Sequence, residues 1–106
     1  MTGFIQVVTT TGNRADAERI SQMLVDRRLA ACVQVAGPIQ STYHWQGRVE
    51  TAEEWQCVAK TSLDRFEELR QAVISAHPYD VPEIIATPIV TAHQPYLDWM
   101  QHELSR

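Results

Sequence analysis

Apolar residues recur along the chain with two different periods, and each change of period marks a new element. Residues 4–11 are rich in β-branched side chains and predict a strand that ends at Gly12. Asn13 can then cap a helix, because its side chain can accept a hydrogen bond from an exposed amide. The apolar positions after it have helical spacing through about Leu29. They are Ala17, Ile20 and Leu24.

Two long extended segments, residues 31–45 and 48–61, are joined at Gln46-Gly47. Glycine supplies the positive φ of a tight turn, so this pattern predicts a β-hairpin. The stretch from Asp64 to Glu67 fits a capping box and opens a second helix. The apolar face of that helix is lined by Phe66, Leu69 and Val73.

His77-Pro78 ends the second helix, since the residue before a proline disfavours the helical conformation. Residues 83–90 predict a further strand that is interrupted near Pro88. Gln94-Pro95 opens a short last helix. The order β-α-β-β-α-β with a tail helix predicts an α+β fold, a ferredoxin-like split βαβ sandwich with a long hairpin. We expect residues 1–106 to form one domain.

The register of the hairpin decides which residues join the core. A two-residue turn places Ile39 opposite Glu54. If the same register continued from that pair towards the body of the sheet, the apolar face of the second hairpin strand would lie opposite polar and small residues. One extra residue at Gly37-Pro38 exchanges the two faces and brings Val33 and Val35 under the helices. We therefore predict a β-bulge there.

The far half of the hairpin is apolar on the side that points away from this core, at Ile39, Tyr43 and Trp45. Residues 4–8 also carry apolar side chains on both faces of their strand. Apolar surfaces of this kind need another surface to cover them. The sequence therefore predicts an obligate oligomer.

Charge and composition narrow the class of protein. The net charge is −4 and the pI is near 5.4, whereas nucleic-acid binding needs a basic face. No apolar run approaches the about 20 residues that span a bilayer, and the start of the chain does not resemble a secretory signal. We expect a cytoplasmic protein that binds neither nucleic acid nor membrane.

Cys32 and Cys57 fall on opposite faces in the bulged register, so we expect free thiols.

Motifs of the common enzyme mechanisms are absent from the sequence: it has no glycine-rich phosphate loop, no G-x-S-x-G and no H-E-x-x-H. We therefore expect that the protein is not an enzyme.

Residues 77–83 present an imidazole, a phenol and two carboxylates in a stretch stiffened by two prolines. They form either a solvated loop or a small-ligand or metal site. Glu54 and Lys60 share one hairpin face, either as an ion pair at a subunit contact or as the wall of a charged cleft.

Three separated blocks of the sequence form one pattern. The first block is Leu29-Ala-Ala-Cys32, Gly37-Pro-Ile and Ser41-Thr-Tyr-His-Trp-Gln-Gly47, continued by Glu54 and Lys60-Thr61. The second is His77-Pro-Tyr with Pro82-Glu83, and the third is Tyr96-Leu-Asp-Trp99. Together the blocks resemble one family, the CutA divalent-cation tolerance proteins, over nearly the whole chain.

The resemblance implies a compact homotrimer, similar to the PII signalling proteins, in which the long hairpins interlock. It implies a role in tolerance of copper and other divalent cations, and no established reaction. It also implies that ligand-binding residues gather in clefts between subunits. On this chain they are Trp45, Glu54, Lys60, His77, Tyr79, Glu83 and Trp99.

Within that set, His77 and Glu83 are the predicted ligands for weak binding of Cu(II) or another divalent cation. Some members of the family have a Cys and a second His where this chain has Thr9 and Ala76, so only His77 of that group remains. One alternative is a PII-like sensor that binds a small ligand in the clefts. Another is an acylphosphatase-like enzyme, for which Arg14 follows the first strand without a glycine-rich cradle.

Overall fold

A computed structural model describes residues 1–106, and its elements follow the predicted order. The strands are β1 (Phe4–Thr11), β2 (Cys32–Trp45), β3 (Arg48–Ser62) and β4 (Ile85–Pro88). The helices are α1 (Arg14–Asp26), α2 (Phe66–Ala76) and α3 (Gln94–Leu104), and a 3₁₀ turn at Leu63–Arg65 precedes α2. The strands pair antiparallel in the order β2-β3-β1-β4. This topology confirms the predicted α+β class and its split βαβ connection.

The main core lies between α1, α2 and one face of the sheet. Alternation along β1 buries Ile5 and Val7, and the same face of β3 buries Ala59. The helices close this core with residues at helical spacing. They are Ile20 and Leu24 from α1 and Leu69, Ala72 and Val73 from α2.

Helix α3 packs outside this core and lies beside β3. Its buried side chains lie on one side of the helix and are Leu97, Met100 and Leu104. Two arginines hold its last turn, because Arg28 donates to the Glu103 carbonyl at 3.1 Å and Arg65 donates to the Leu104 carbonyl. These bonds occupy carbonyls that a helix end leaves free, so the tail helix is fixed to the body of the subunit.

The predicted bulge is confirmed. The β2–β3 register shifts between Ala36 and Ile39, and Val35 then lies opposite Cys57. Cys32 lies opposite Lys60 on the other face, and both cysteines are free thiols, as expected.

Beyond Trp55 the hairpin leaves the sheet. The last pair between β1 and β3 is Thr11 with Trp55, so residues 39–45 and 48–54 pair only with each other. We call this part the distal ribbon. It accounts for the elongated subunit, which measures 45 × 25 × 22 Å.

The predicted end of α1 and both predicted ends of the fourth strand are wrong. Helix α1 ends at Asp26 rather than near Leu29, since Arg28 has φ 59° and the Leu29 amide turns back to the Leu24 carbonyl at 2.9 Å. The fourth strand covers only residues 85–88 of the predicted 83–90.

The predicted capping box at Asp64 does not form. Leu63–Arg65 is a 3₁₀ turn, and α2 begins at Phe66 after Arg65, which makes no side-chain cap. Asp64 instead accepts a hydrogen bond from the Ser62 hydroxyl.

Candidate functional site

His77 lies at the end of α2 and is buried, with 8% of its surface exposed. Its Nε2 is 2.7 Å from the Thr10 carbonyl, and its Nδ1 is 3.0 Å from the Tyr79 amide nitrogen. An amide can only donate and a carbonyl can only accept, so these partners assign the proton to Nε2. Both ring nitrogens of the neutral imidazole are therefore occupied within the chain.

Tyr79 connects this histidine to the base of the distal ribbon. The two rings lie 4.7 Å apart, and the Tyr79 hydroxyl donates to Glu54 Oε2 at 3.0 Å. A Cβ on Gly12 would lie 3.1 Å from that hydroxyl oxygen, so the glycine leaves room for the phenol. Burial, and then the hydrogen bond to the nearby Glu54 carboxylate, raises the pKa of Tyr79 to about 12. The phenol therefore stays protonated and holds Glu54 in place.

Glu54 is the buried acid of this group, with 9% of its surface exposed. None of the ion pairs in the chain includes it. Burial of a carboxylate without a cation is costly. Glu54, His77 and Tyr79 form one connected group, which we call the Glu54 cluster.

The other predicted site residues lie elsewhere on the subunit. Lys60 is six residues from Glu54 along β3, a separation of roughly 20 Å, so the two form no ion pair within the chain. Trp45 is at the tip of the distal ribbon and is 59% exposed, and Glu83 is exposed in the segment before β4. The Glu54 cluster therefore contains three of the seven residues.

Lys60 belongs to a second group. Its ammonium donates to Gln34 Oε1 at 3.0 Å and lies 5.7 Å from the centre of the Tyr96 ring. Tyr96 in turn packs against Trp99, with ring centres 5.5 Å apart. Sequence reasoning missed Gln34 and Tyr96. The three-residue spacing of Tyr96 and Trp99 on a helix could have indicated their contact, whereas Gln34 depends on the fold.

A preformed metal centre does not exist within one chain. No three His, Cys, Asp or Glu side chains lie close enough together to hold an ion. A cation could reach the His77 imidazole only by displacing the Tyr79 amide from Nδ1. The donor set of a single subunit therefore does not fit a tight, closed metal site.

Arg14, the residue considered for phosphate binding, is engaged in local contacts. Its guanidinium pairs with Glu18 at 2.7 Å and lies 5.5 Å from the centre of the Trp55 ring. The loop after β1 therefore does not present Arg14 for phosphate binding.

The structure contains no helix that is long and apolar enough to cross a bilayer.

The fold and these two groups define a small α+β protein of the split βαβ class with a hairpin that projects from the sheet and a docked tail helix. Residues 5–103 match the family model described as CutA1 divalent ion tolerance protein. The chain belongs to that family.

Similar proteins span most of this length. The chain is 40% identical over 95 residues to the divalent-cation tolerance protein CutA of Thermus thermophilus, covering 90% of this chain and 92% of that protein. A crystal structure of CutA from Xylella fastidiosa superposes with a TM-score of 0.93 at 35% identity, covering 96% of this chain and 98% of that chain. The name of the Thermus thermophilus protein describes tolerance of divalent cations and names no reaction.

Other relatives have names that place them in several compartments. The chloroplastic CutA of Arabidopsis thaliana is 37% identical over 98 residues, which cover 92% of this chain and 54% of that protein. A structure from Archaeoglobus fulgidus is described as a periplasmic divalent cation tolerance protein, with a TM-score of 0.92 and 35% identity, covering 95% of this chain and 98% of that chain.

Proposed function

We propose that this chain acts in the tolerance of divalent cations, copper among them, as a cytoplasmic homotrimer that binds such ions weakly. Membership of the family supports the role in tolerance. The distal ribbon supports the assembly, and the Glu54 cluster supports the binding of cations.

The distal ribbon is the observation that carries the trimer. A two-stranded hairpin alone is at best marginally stable in water. This one has no strand beside it and exposes Tyr43, Trp45 and Val49. A second copy of the chain would cover these side chains and would enlarge the small core of a 106-residue subunit. The resemblance to PII-like trimers favours three copies.

Weak cation binding is supported by two donors in the Glu54 cluster and by a third outside it. Glu54 is a buried carboxylate without a cation, and His77 adds an imidazole. Glu83, which is exposed in the segment before β4, adds a second carboxylate. Imidazole and carboxylate suit Cu(II) or Zn(II) without strong selectivity. Because His77 must first give up the Tyr79 amide, we expect low affinity.

Light scattering and calorimetry test the two parts of this function. At micromolar concentration we expect a mass three times the 12.1 kDa of the chain. Cu(II) and Zn(II) should bind the wild type and should bind Glu54→Gln and Glu83→Gln at least about threefold more weakly, a loss of about 0.7 kcal/mol. Glu53→Gln, one residue away on the opposite face, is the matched control. A stable monomer would refute the assembly, and equal binding by all variants would refute the cation site.

The sensor alternative keeps one observation in its favour. Lys60 has no carboxylate partner within the chain and lies beside the ring of Tyr96, which packs against Trp99. This arrangement suits an anionic small ligand better than a cation.

A further inference from the structure

Lys60 is the one lysine of the chain, and only one of the N–H donors of its ammonium has a partner in the structure. An ammonium has three N–H donors. One of them goes to Gln34 Oε1 at 3.0 Å, and no Asp or Glu lies within ion-pair distance. The charge is therefore held in place by an uncharged partner and keeps donors for another group.

The neighbours of Lys60 on its own face of the sheet are uncharged. The residues directly across the sheet from it on the same face are Gln6 on β1 and Cys32 on β2, and Thr87 on β4 continues the row. On α3, the acid Asp98 accepts from Gln94 at 2.9 Å, and Glu103 pairs with Arg28 at 3.4 Å. Lys60 is therefore the only charged side chain in this row of the sheet.

One aromatic ring borders the ammonium, and a second ring packs against the first. Tyr96 lies 5.7 Å from the ammonium and stacks at a 30° tilt on Trp99, and both rings remain more than one-third exposed. Because the adjoining residues Leu97 and Met100 are buried, α3 holds these rings in a defined position. Rigid aromatic surfaces lower the entropy cost of binding a flat ligand.

We propose that Lys60, Gln34, Tyr96 and Trp99 form a site for a small anion that carries a planar ring, either an aromatic carboxylate or an aromatic phosphate ester. The anionic group is bound by the free donors of Lys60 and by the Gln34 amide, and the ring packs on the exposed faces of Tyr96 and Trp99. The site rests on the sensor function given above as the alternative. It shares no residue with the Glu54 cluster.

The test uses probes that separate the two halves of the ligand. Phenyl phosphate and benzoate carry both a ring and an anion, inorganic phosphate and acetate carry only the anion, and benzyl alcohol carries only the ring. Calorimetry on the wild-type protein should show binding of phenyl phosphate or benzoate at least about tenfold tighter than that of any half-probe, a difference of about 1.4 kcal/mol. Whichever of the two binds more tightly identifies the anionic group.

Variants then locate the site. Lys60→Gln should weaken the better probe at least about tenfold, whereas Lys60→Arg should retain most of the binding because it keeps the charge. Arg48→Gln, which removes a positive charge at the tip of the distal ribbon, is the matched control and should leave binding unchanged. Reductive ¹³C-methylation labels only Lys60 and the terminal amine, so the Lys60 methyl signal should shift on binding.

Three results would overturn the site: no binding of either full probe, equal binding by Lys60→Gln, or half-probes that bind as tightly as full ones. Cation binding and the light-scattering mass, measured on the same Lys60→Gln sample, should remain at wild-type values. A loss of the anion site is thus distinguishable from a failure of the proposed cation function.

Discussion

Two buried threonines differ in what their hydroxyl groups contact. Thr61 donates to the Leu29 carbonyl at 2.7 Å, whereas the Oγ1 of Thr9, a residue only 3% exposed, has no hydrogen-bond partner. An unsatisfied buried hydroxyl costs about 1–3 kcal/mol. Thr9→Val should therefore raise the free energy of unfolding by about 1 kcal/mol, while Thr61→Val should lower it by a similar amount. Urea unfolding at one fixed protein concentration measures both. Equal losses in the two variants would contradict this account of Thr9.

Tyr79 should make stability depend on alkaline pH. Its pKa is raised from 10 to about 12 in the folded chain, so the stabilisation of its protonated form is complete below pH 10 and is lost as pH rises through about 12. Tyr79→Phe lacks this group. The stability advantage of the wild type over Tyr79→Phe should therefore shrink across that window, by about 1 kcal/mol or less because the ring is partly exposed. Thermal unfolding measures it, with Tyr96→Phe as the control. A constant difference across the window would show that the folded chain does not raise the pKa of Tyr79.

Among the elements, the hairpin depends on one close contact at its bulge. A Cβ placed on Gly37 would lie 2.6 Å from Cε3 of Trp55 and 3.2 Å from the Glu54 carbonyl oxygen. Gly37→Ala should therefore lower the free energy of unfolding by about 1–3 kcal/mol, as overpacking usually does. A double-mutant cycle with Trp55→Leu checks the cause, since the smaller side chain should recover part of the loss. Additive effects would mean that the ring is not what Gly37 accommodates.

At the scale of the whole molecule, the apolar side of the distal ribbon should hold the assembly together. Replacing Trp45 and Tyr43 with glutamate would place two charges on the side that we expect to be covered, at a cost of several kcal/mol. The light-scattering mass should fall from that of three chains to that of one at low micromolar concentration. Leu63→Glu, at another exposed apolar position, is the control and should remain trimeric. Persistence of the trimer in the double variant would place its interface elsewhere on the subunit.

The sequence by itself determined the order of elements, the Asn13 cap, the turn at Gln46-Gly47, the end of α2 and the bulge. Each of these depends on neighbouring residues: the period of burial, the φ of a glycine, a proline or a capping side chain. The Asn13 cap is a bond to Asp16 only three residues away. The bulge was predictable because a shift of one residue moves every side chain to the other face.

The tertiary structure alone decided the rest, because it depends on residues far apart in the chain. Leu63, in the 3₁₀ turn that takes the place of the capping box, donates its amide to the Gly3 carbonyl across the sheet. The fourth strand is short because only four of its residues meet β1. His77 has no free nitrogen because Thr10, 67 residues earlier, accepts from its ring and Tyr79 turns back to donate to it. No periodicity or spacing encodes such contacts, since they form only when the sheet brings these segments together.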